Sequence, residues 1–252
     1  AGACNHSCFF CGNAITENNV LLDKNLVFRL LKEAMDNGVT DVALYATGEP
    51  LLHPDLAEMT REAKRLGIHY LFISTNGALA TPKRAKPILD AGMDSIKFSV
   101  NGGTRESYKN VHGRDQFDRV ISHIKWFSEY RQKSGLKYKI YVSSVQSTRN
   151  IDEWQGLENL LSPFVDEMDI RHVSNQGGNM YENNLTEEIN PNNLLGSLQN
   201  NQMNNLNKKC CPDPFSRLTV TPEGYASVCV VDYKNYLTVA DLNKSTLVEA
   251  WN

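Results

Sequence analysis

The sequence predicts an α/β protein in which repeated βα units build a parallel sheet. Short apolar segments alternate with amphipathic helical segments between residues 41 and 173. The spacing from one apolar segment to the next is roughly 25 to 45 residues, which is typical of a barrel or of an open doubly wound sheet. A chain of 252 residues is long enough to bury a sizeable core.

Five apolar segments are the predicted strands, and turn residues follow each of them: residues 41–46, 70–75, 95–100, 139–145 and 168–173. Start and stop signals mark the helices between these strands. The predicted helices run from Asp23 to before Gly38, from Pro54 to Gly67, from Thr81 to Gly92, from Asp115 to about Gly135, and onward from Ile151.

The start of the chain does not fit this repeat. A loop with three cysteines precedes the first helix, whereas in a βα protein a strand should come before such a loop. We therefore expect that a first strand is missing from this sequence. Counting that strand would give six βα units.

The end of the chain also differs in composition. Residues 174–209 are rich in Asn and poor in large apolar side chains, which predicts a linker. Residues 217–233 then predict a β-hairpin around Pro222, Glu223 and Gly224, with a terminal helix near residues 246–251. The predicted organisation is a main domain over 1–173, a linker over 174–209 and a small hairpin and helix extension over 210–252.

Charge and hydropathy exclude several classes of partner. The formal net charge is -3 and the sequence pI is about 6.1, so no basic field predicts binding to nucleic acid or to an anionic membrane. No apolar run approaches the ~20 residues of a membrane span, and the start of the sequence lacks the regions of a signal peptide. These features predict a cytoplasmic protein without a nucleic-acid or membrane partner.

The first cysteine group, Cys4, Cys8 and Cys11, predicts metal ligation. Three thiols within eight residues cannot all form local disulfides, and a reducing cytosol would not keep such bridges. Three thiolates can hold three irons of a 4Fe-4S cluster and leave the fourth iron open for the amino and carboxylate groups of S-adenosylmethionine (SAM). The alternative is a structural zinc site, which needs four ligands, and the nearest further candidate, His6, is badly placed inside the loop.

With its aromatic Phe10 before the last cysteine, this spacing resembles that of the radical SAM superfamily over Cys4 to about Val173. The resemblance implies a partial (β/α)6 TIM-like barrel. It also implies reductive cleavage of SAM to a 5'-deoxyadenosyl radical, which abstracts hydrogen from a substrate C–H bond. A reductant such as flavodoxin or ferredoxin would then be a partner.

Three strand ends carry candidate SAM contacts. Residues 47–50 resemble the Gly-Gly-Glu-Pro type motif of that superfamily, with Thr47 in place of the first glycine. Gly48 would let the backbone approach a ligand, Glu49 would accept from the SAM ammonium, and Pro50 completes the motif. The alternative is a plain strand-to-helix turn.

Ser74, Asn76 and Ser99 follow at the next two strand ends. Ligands of parallel α/β proteins bind at the carboxyl ends of the strands, so these side chains should face the same cavity. Asn-Gly is also a good turn by itself, which leaves turn chemistry as the alternative. Gln146 and Arg171, at the last two strand ends, are candidates for contact with SAM or substrate, and structural roles for both stay open.

The second cysteine group contains Cys211 and Cys229. Their spacing from Gly224 resembles the opening of the SPASM and twitch extensions, which implies an auxiliary 4Fe-4S cluster. Two departures are present: Ala240 and Asp241 replace the usual Gly-Asn, and the later cysteines are absent, so we expect a truncation at this end too. A hairpin with two ordinary cysteines, or a small zinc site, is the alternative.

The function predicted from these motifs is a radical SAM oxidoreductase. An auxiliary cluster suits a substrate radical that must lose an electron, so net oxidation of a sugar-like or other small molecule is the leading outcome. Modification of a peptide or protein is the second. The alternative from another class is a non-catalytic iron-sulfur or zinc module, which would not need polar motifs at three successive strand ends.

Overall fold

The computed structural model describes residues 1–16, 18–174, 176 and 211–252. Five strands form one sheet in the order β1-β2-β3-β4-β5, and every neighbouring pair is parallel. Their bounds are Asp41–Ala43, Tyr70–Thr75, Ser95–Ser99, Lys139–Gln146 and Glu167–His172. All five predicted strands are confirmed, and so is the predicted α/β class with a parallel sheet.

Six α-helices belong to this unit within the described ranges. Their bounds are α1 Lys24–Asp36, α2 Leu56–Leu66, α3 Pro82–Asp90, α4 Arg105–His112, α5 Phe117–Ser134 and α6 Trp154–Leu161. The Asp23 side chain accepts a hydrogen bond from the backbone N–H of Leu26 and so caps α1. Gly67 and Gly135, both at positive φ, end α2 and α5.

Helix α4 was not predicted from the sequence. Turn residues were predicted after the strand at 95–100, and the next helix only from Asp115, but Thr104 forms a capping box with Ser107 and starts a helix of eight residues. A second difference is small: α3 ends at Asp90 and Ala91 caps it, although Gly92 was the predicted end.

The two faces of the sheet have opposite character because side chains alternate along each strand. One face packs on the helices with fully buried apolar side chains, which include Leu71, Ile73, Ile96, Phe98, Ile140 and Val142. The other face carries aromatic, hydroxyl and charged side chains, such as Phe72, Ser74 and Lys97. We call it the polar face of the sheet.

The extension forms a separate antiparallel sheet. Its strands are β6 Thr219–Val220, β7 Tyr225–Ser227 and β8 Thr238–Asp241, and helix α7 spans Leu247–Trp251. The predicted hairpin and terminal helix are confirmed, whereas β8 was not predicted.

This unit packs on one side of α1, where Leu26 and Leu30 contact Ala226 and Leu242. The predicted linker over 174–209 lies outside the described residues, apart from Ser174 and Gln176. Of the helices in the described ranges, none is long and apolar enough to cross a membrane.

Candidate functional site

The cysteine loop begins against the strand-end motif at residues 47–50. Gly48 donates its backbone N–H to the Ala1 carbonyl at 2.9 Å, and Glu49 donates to the Ala3 carbonyl at 2.8 Å. A Cβ at position 48 would lie 2.3 Å from the Ala1 oxygen and 2.4 Å from the Ala3 oxygen. Only glycine therefore permits this approach, and the backbone that approaches it leads directly into Cys4.

Glu49 is a buried acceptor that joins two strand ends. Only 2% of the residue is exposed. Its carboxylate accepts from Thr75 Oγ1 at 2.7 Å, from the Asn76 backbone N–H at 2.8 Å and from the Leu51 backbone N–H at 3.0 Å. Burial raises the pKa of Glu49, and these hydrogen bonds oppose that rise. A carboxylate has about four acceptor positions, so one remains for a further donor.

Asn76 links the second strand end to the cysteine loop. Its Nδ2 donates to Asn5 Oδ1 at 2.8 Å and lies 3.8 Å from the sulfur of Cys4. Although Cys4 is exposed as a residue, the protein around its thiol raises the pKa to about 11, mainly by desolvation. The predicted residues Cys4, Glu49 and Asn76 are therefore brought together.

His112, at the end of α4, faces Cys8. Its Nε2 accepts from the Asn101 backbone N–H at 3.1 Å, so the ring proton lies on Nδ1. That nitrogen is 3.4 Å from Cys8 Sγ and 3.3 Å from His6 Nδ1. Burial holds the pKa of His112 well below its usual range, so the ring is neutral and can donate one N–H towards sulfur.

The ligand atoms of His6, Cys8 and His112 lie within 4.8 Å of one another and are the one group of this kind among the described residues. They bear on the zinc alternative. A zinc-bound histidine needs a free lone pair on the ligating nitrogen. Because Nδ1 of His112 carries the proton, this group is better arranged to hydrogen-bond Cys8 than to enclose a metal.

Tyr233 of the extension covers the third cysteine, Cys11. Tyr233 places its hydroxyl 3.8 Å from Cys11 Sγ and 2.7 Å from Gln176 Oε1. Its ring lies against Gly12, where a Cβ would come within 2.6 Å of it. Burial raises the pKa of Tyr233, and the nearby thiols Cys11, Cys8 and Cys229 add to the rise.

The three thiols fit an iron-sulfur cluster. Burial raises the pKa of Cys8 well above its usual range, and Cys11 and Cys4 add to that rise as like charges. Cys4 and Cys8, whose pKa values are raised, are protonated at neutral pH unless nearby cations stabilise the thiolate, which is what bound iron does. The donor set therefore suits a cationic cluster.

The remaining predicted residues lie at different places around this loop. Phe10 meets Phe9 edge-on at 5.4 Å between ring centroids and packs near Val145 and Val173. Ser74 and Ser99 are half-buried on the polar face. Pro50 is buried and starts a short 3-10 helix, Pro50–Leu52.

Gln146 lies apart from these residues. Strand alternation places it on the helix-facing side with Val142 and Ser144, and its Nε2 donates to the Ile151 carbonyl at 2.9 Å. It lines a small cleft with Trp154 of α6. The prediction for Gln146 is therefore not carried into the cofactor site proposed below.

Thr47 and Cys229 line one cleft between the strand-end motif and the extension. Cys211 is exposed, and both Cys211 and Cys229 are free thiols. Cys210, the neighbour of Cys211, lies outside the described residues. Whether Cys211 and Cys229 share a metal therefore stays a prediction.

Comparison with known proteins identifies the fold and the family. The radical SAM superfamily profile matches residues 1–155. The "Probable GTP 3',8-cyclase" of Saccharolobus solfataricus is 40% identical over 124 residues, which covers 49% of this chain and 40% of that protein. The protein of the same name from Metallosphaera sedula is 36% identical over 152 residues, or 60% of this chain and 46% of that one. The match thus spans less than half the length of these curated relatives.

Solved structures share the fold at low identity. Streptococcus suis SuiB bound to precursor peptide SuiA superposes with a TM-score of 0.74 at 16% identity, covering 100% of this chain and 62% of SuiB. BtrN in complex with AdoMet and 2-DOIA gives 0.61 at 17% identity, covering 100% and 78%. Because the family profile matches well over half of the residues, this chain belongs to the radical SAM superfamily.

Proposed function

We propose that this chain cleaves SAM reductively and abstracts hydrogen from a substrate C–H bond, with net oxidation of a small molecule as the leading outcome. The observation that carries the proposal is the docking of a three-thiol loop onto two strand ends, through Gly48 and Asn76. A module that only stored a metal would have no use for polar strand ends beside its ligands.

The family implies a 4Fe-4S cluster and SAM, which together supply a 5'-deoxyadenosyl radical when an electron is delivered. In our proposal Cys4, Cys8 and Cys11 hold the cluster. Glu49 accepts from the SAM ammonium with its remaining acceptor position. Phe10, Thr47, Ser74 and Ser99 complete the walls around SAM. An external reductant such as a flavodoxin or ferredoxin provides the electron.

The names of similar proteins favour a small-molecule substrate. The curated relatives are named for a cyclase that acts on GTP, and BtrN was solved with 2-DOIA. SuiB was solved with a precursor peptide, which keeps peptide modification as the second candidate. Cyclisation of a nucleotide is not carried over, because the match leaves more than half of those relatives uncovered.

The first test measures SAM cleavage and SAM affinity together. Anaerobically reconstituted protein with dithionite and SAM should release 5'-deoxyadenosine and methionine. Glu49→Gln should weaken SAM binding by about tenfold or more, because a charge-assisted hydrogen bond is lost. Its iron content should stay unchanged, since no hydrogen bond joins Glu49 to a cysteine sulfur among the described residues.

Thr75→Val is the matched control for that variant, because it removes a donor to Glu49 while the carboxylate remains. We expect it to bind SAM almost as wild type does. Loss of iron in Glu49→Gln would mean that the motif only holds the loop in place. A colourless wild-type protein that contains zinc would contradict the proposed function as a whole.

We also propose an auxiliary 4Fe-4S cluster with Cys211 and Cys229 among its ligands. What supports it is their spacing and the position of Cys229 in a cleft beside Thr47 and Tyr233. In the full-length protein, iron should exceed that of one 4Fe-4S cluster, and Cys211→Ala/Cys229→Ala should lower it to that level. SAM cleavage should survive in the double variant, whereas substrate oxidation should fail.

Cys210→Ala is the control, because it changes the neighbouring thiol alone and should leave the iron content as it is. If wild-type protein holds iron for only one cluster and still turns substrate over, the auxiliary cluster is wrong.

A further inference from the structure

Lys97 is a cation on the polar face of the sheet. It lies in the middle of β3, between Ser95 and Ser99, and its neighbours Ile96 and Phe98 point into the apolar core on the other side. Strand register places it opposite Ser74 on β2 and Tyr141 on β4. The Lys97 side chain therefore projects from the polar face of the sheet.

Within the described ranges, no hydrogen bond or ion pair engages the Lys97 ammonium. Lys24, Lys64 and Lys86, by contrast, each pair with a carboxylate on the outer surface. Lys97 is also half-buried. Burial lowers its pKa, the positive Arg171 lowers it further, and Asp169 partly offsets both. Burying an unpaired cation is unfavourable for folding. Groups whose pKa is shifted in this way are concentrated at functional sites, where a bound anion can pair with them.

Strand register places the charged side chains of Lys97, Arg171, Asp169 and Glu167 on the polar face, and Glu167 lies opposite Tyr141. Arg171 on β5 donates from Nε to Asp169 Oδ2 at 2.8 Å, so these two neutralise each other. Register places Asp169 opposite Ser143, which in turn faces Ser99. Glu167 lies two strands away from Lys97, with Tyr141 between them, so Lys97 is left without a direct ion pair among the described residues. Serine hydroxyls beside Lys97 can donate to an oxygen.

The position along the strands puts this cation close to the cysteine loop. Ser74, opposite Lys97, comes two residues before Asn76, whose amide lies 3.8 Å from Cys4 Sγ. Two residues of a strand span roughly 7 Å. A molecule of modest size bound at Lys97 therefore reaches the region next to the loop.

We propose that the substrate carries a carboxylate or phosphate group and that Lys97 binds this group on the polar face. The inference rests on the proposed function, because it names the class of molecule from which hydrogen is taken. An anion held at Lys97 would direct the rest of the substrate towards the strand ends that carry Asn76 and Ser99.

The test is anion binding by the reconstituted, SAM-loaded full-length protein. Calorimetric titrations would use inorganic pyrophosphate for the phosphate class and succinate for the carboxylate class. At least one should bind, and Lys97→Met should weaken that binding by about tenfold or more. Lys97→Arg should retain most of it. Lys137→Met is the matched control and should bind as wild type does, because Lys137 is exposed and precedes the start of β4, at the edge of the sheet opposite the strand ends.

Several outcomes would overturn the inference: neither anion binds, Lys97→Met binds as well as wild type, or Lys97→Met weakens SAM binding instead, which would assign the cation to SAM. Release of 5'-deoxyadenosine without substrate is measured on the same samples. If SAM is cleaved but no anion binds at Lys97, this inference alone fails. If anion binding depends on Lys97 but SAM is never cleaved, the proposed function alone fails.

Discussion

Replacing Cys8 by Ala should abolish SAM cleavage and remove the iron of the first cluster. Three thiolates are the only protein anchors proposed for this cluster, and two cannot hold it in place. Burial raises the pKa of the Cys8 thiol, and His112 Nδ1 lies 3.4 Å from its sulfur. Iron, acid-labile sulfide and 5'-deoxyadenosine, measured under anaerobic conditions, should all fall to background. Cys4→Ala and Cys11→Ala should behave in the same way.

Ser7→Ala is the control within the same loop, because Ser7 is exposed and precedes Cys8 directly. It should retain iron and SAM cleavage. Full 5'-deoxyadenosine formation in any one of the three cysteine variants would end the cluster assignment.

Gly48→Ala should prevent cluster assembly while the barrel remains folded. The new methyl group would overlap the carbonyl oxygens of Ala1 and Ala3 at 2.3 and 2.4 Å. Neither contact can be relieved by a side-chain rotation, because both atoms belong to the backbone, so the segment that leads to Cys4 must move. We expect iron incorporation to fall to a small fraction of wild type, while circular dichroism retains the α/β spectrum.

Gly156→Ala offers a matched comparison. Gly156 lies in α6 and no atom comes within 4 Å of its added Cβ, so this change should stabilise the protein by about 0.5–1 kcal/mol. Normal iron loading in Gly48→Ala would mean that the cysteine loop does not depend on this contact.

The sequence was sufficient for the main sheet because each strand combines alternation or an apolar run with a following turn. It was insufficient for α4 and β8. Helix α4 is polar along most of its eight residues and depends on its capping box, and β8 has only four residues, Thr238–Asp241, that pair with β7. Short elements of this kind are stabilised by tertiary contacts that local patterns do not contain.

The candidate site was predictable where its residues are close together in the sequence. The cysteines and the motif at 47–50 lie in short stretches whose spacing carries meaning. His112 and Tyr233 were missed because they reach Cys8 and Cys11 across 104 and 222 residues of sequence. For Gln146 the sequence held information that the prediction did not use. Strand alternation from Val142 places Gln146 on the helix-facing side of the sheet.

Helix α1 is buried on two sides, and each side packs against a different part of the protein. Val27 and Leu31 pack into the barrel core, while Leu26 and Leu30 pack against the extension. Glu33 accepts from the backbone N–H of Leu247, at the start of α7. The extension is therefore not interchangeable with another one. A different extension would pack here only if Leu26, Leu30 and Glu33 on α1 changed with it.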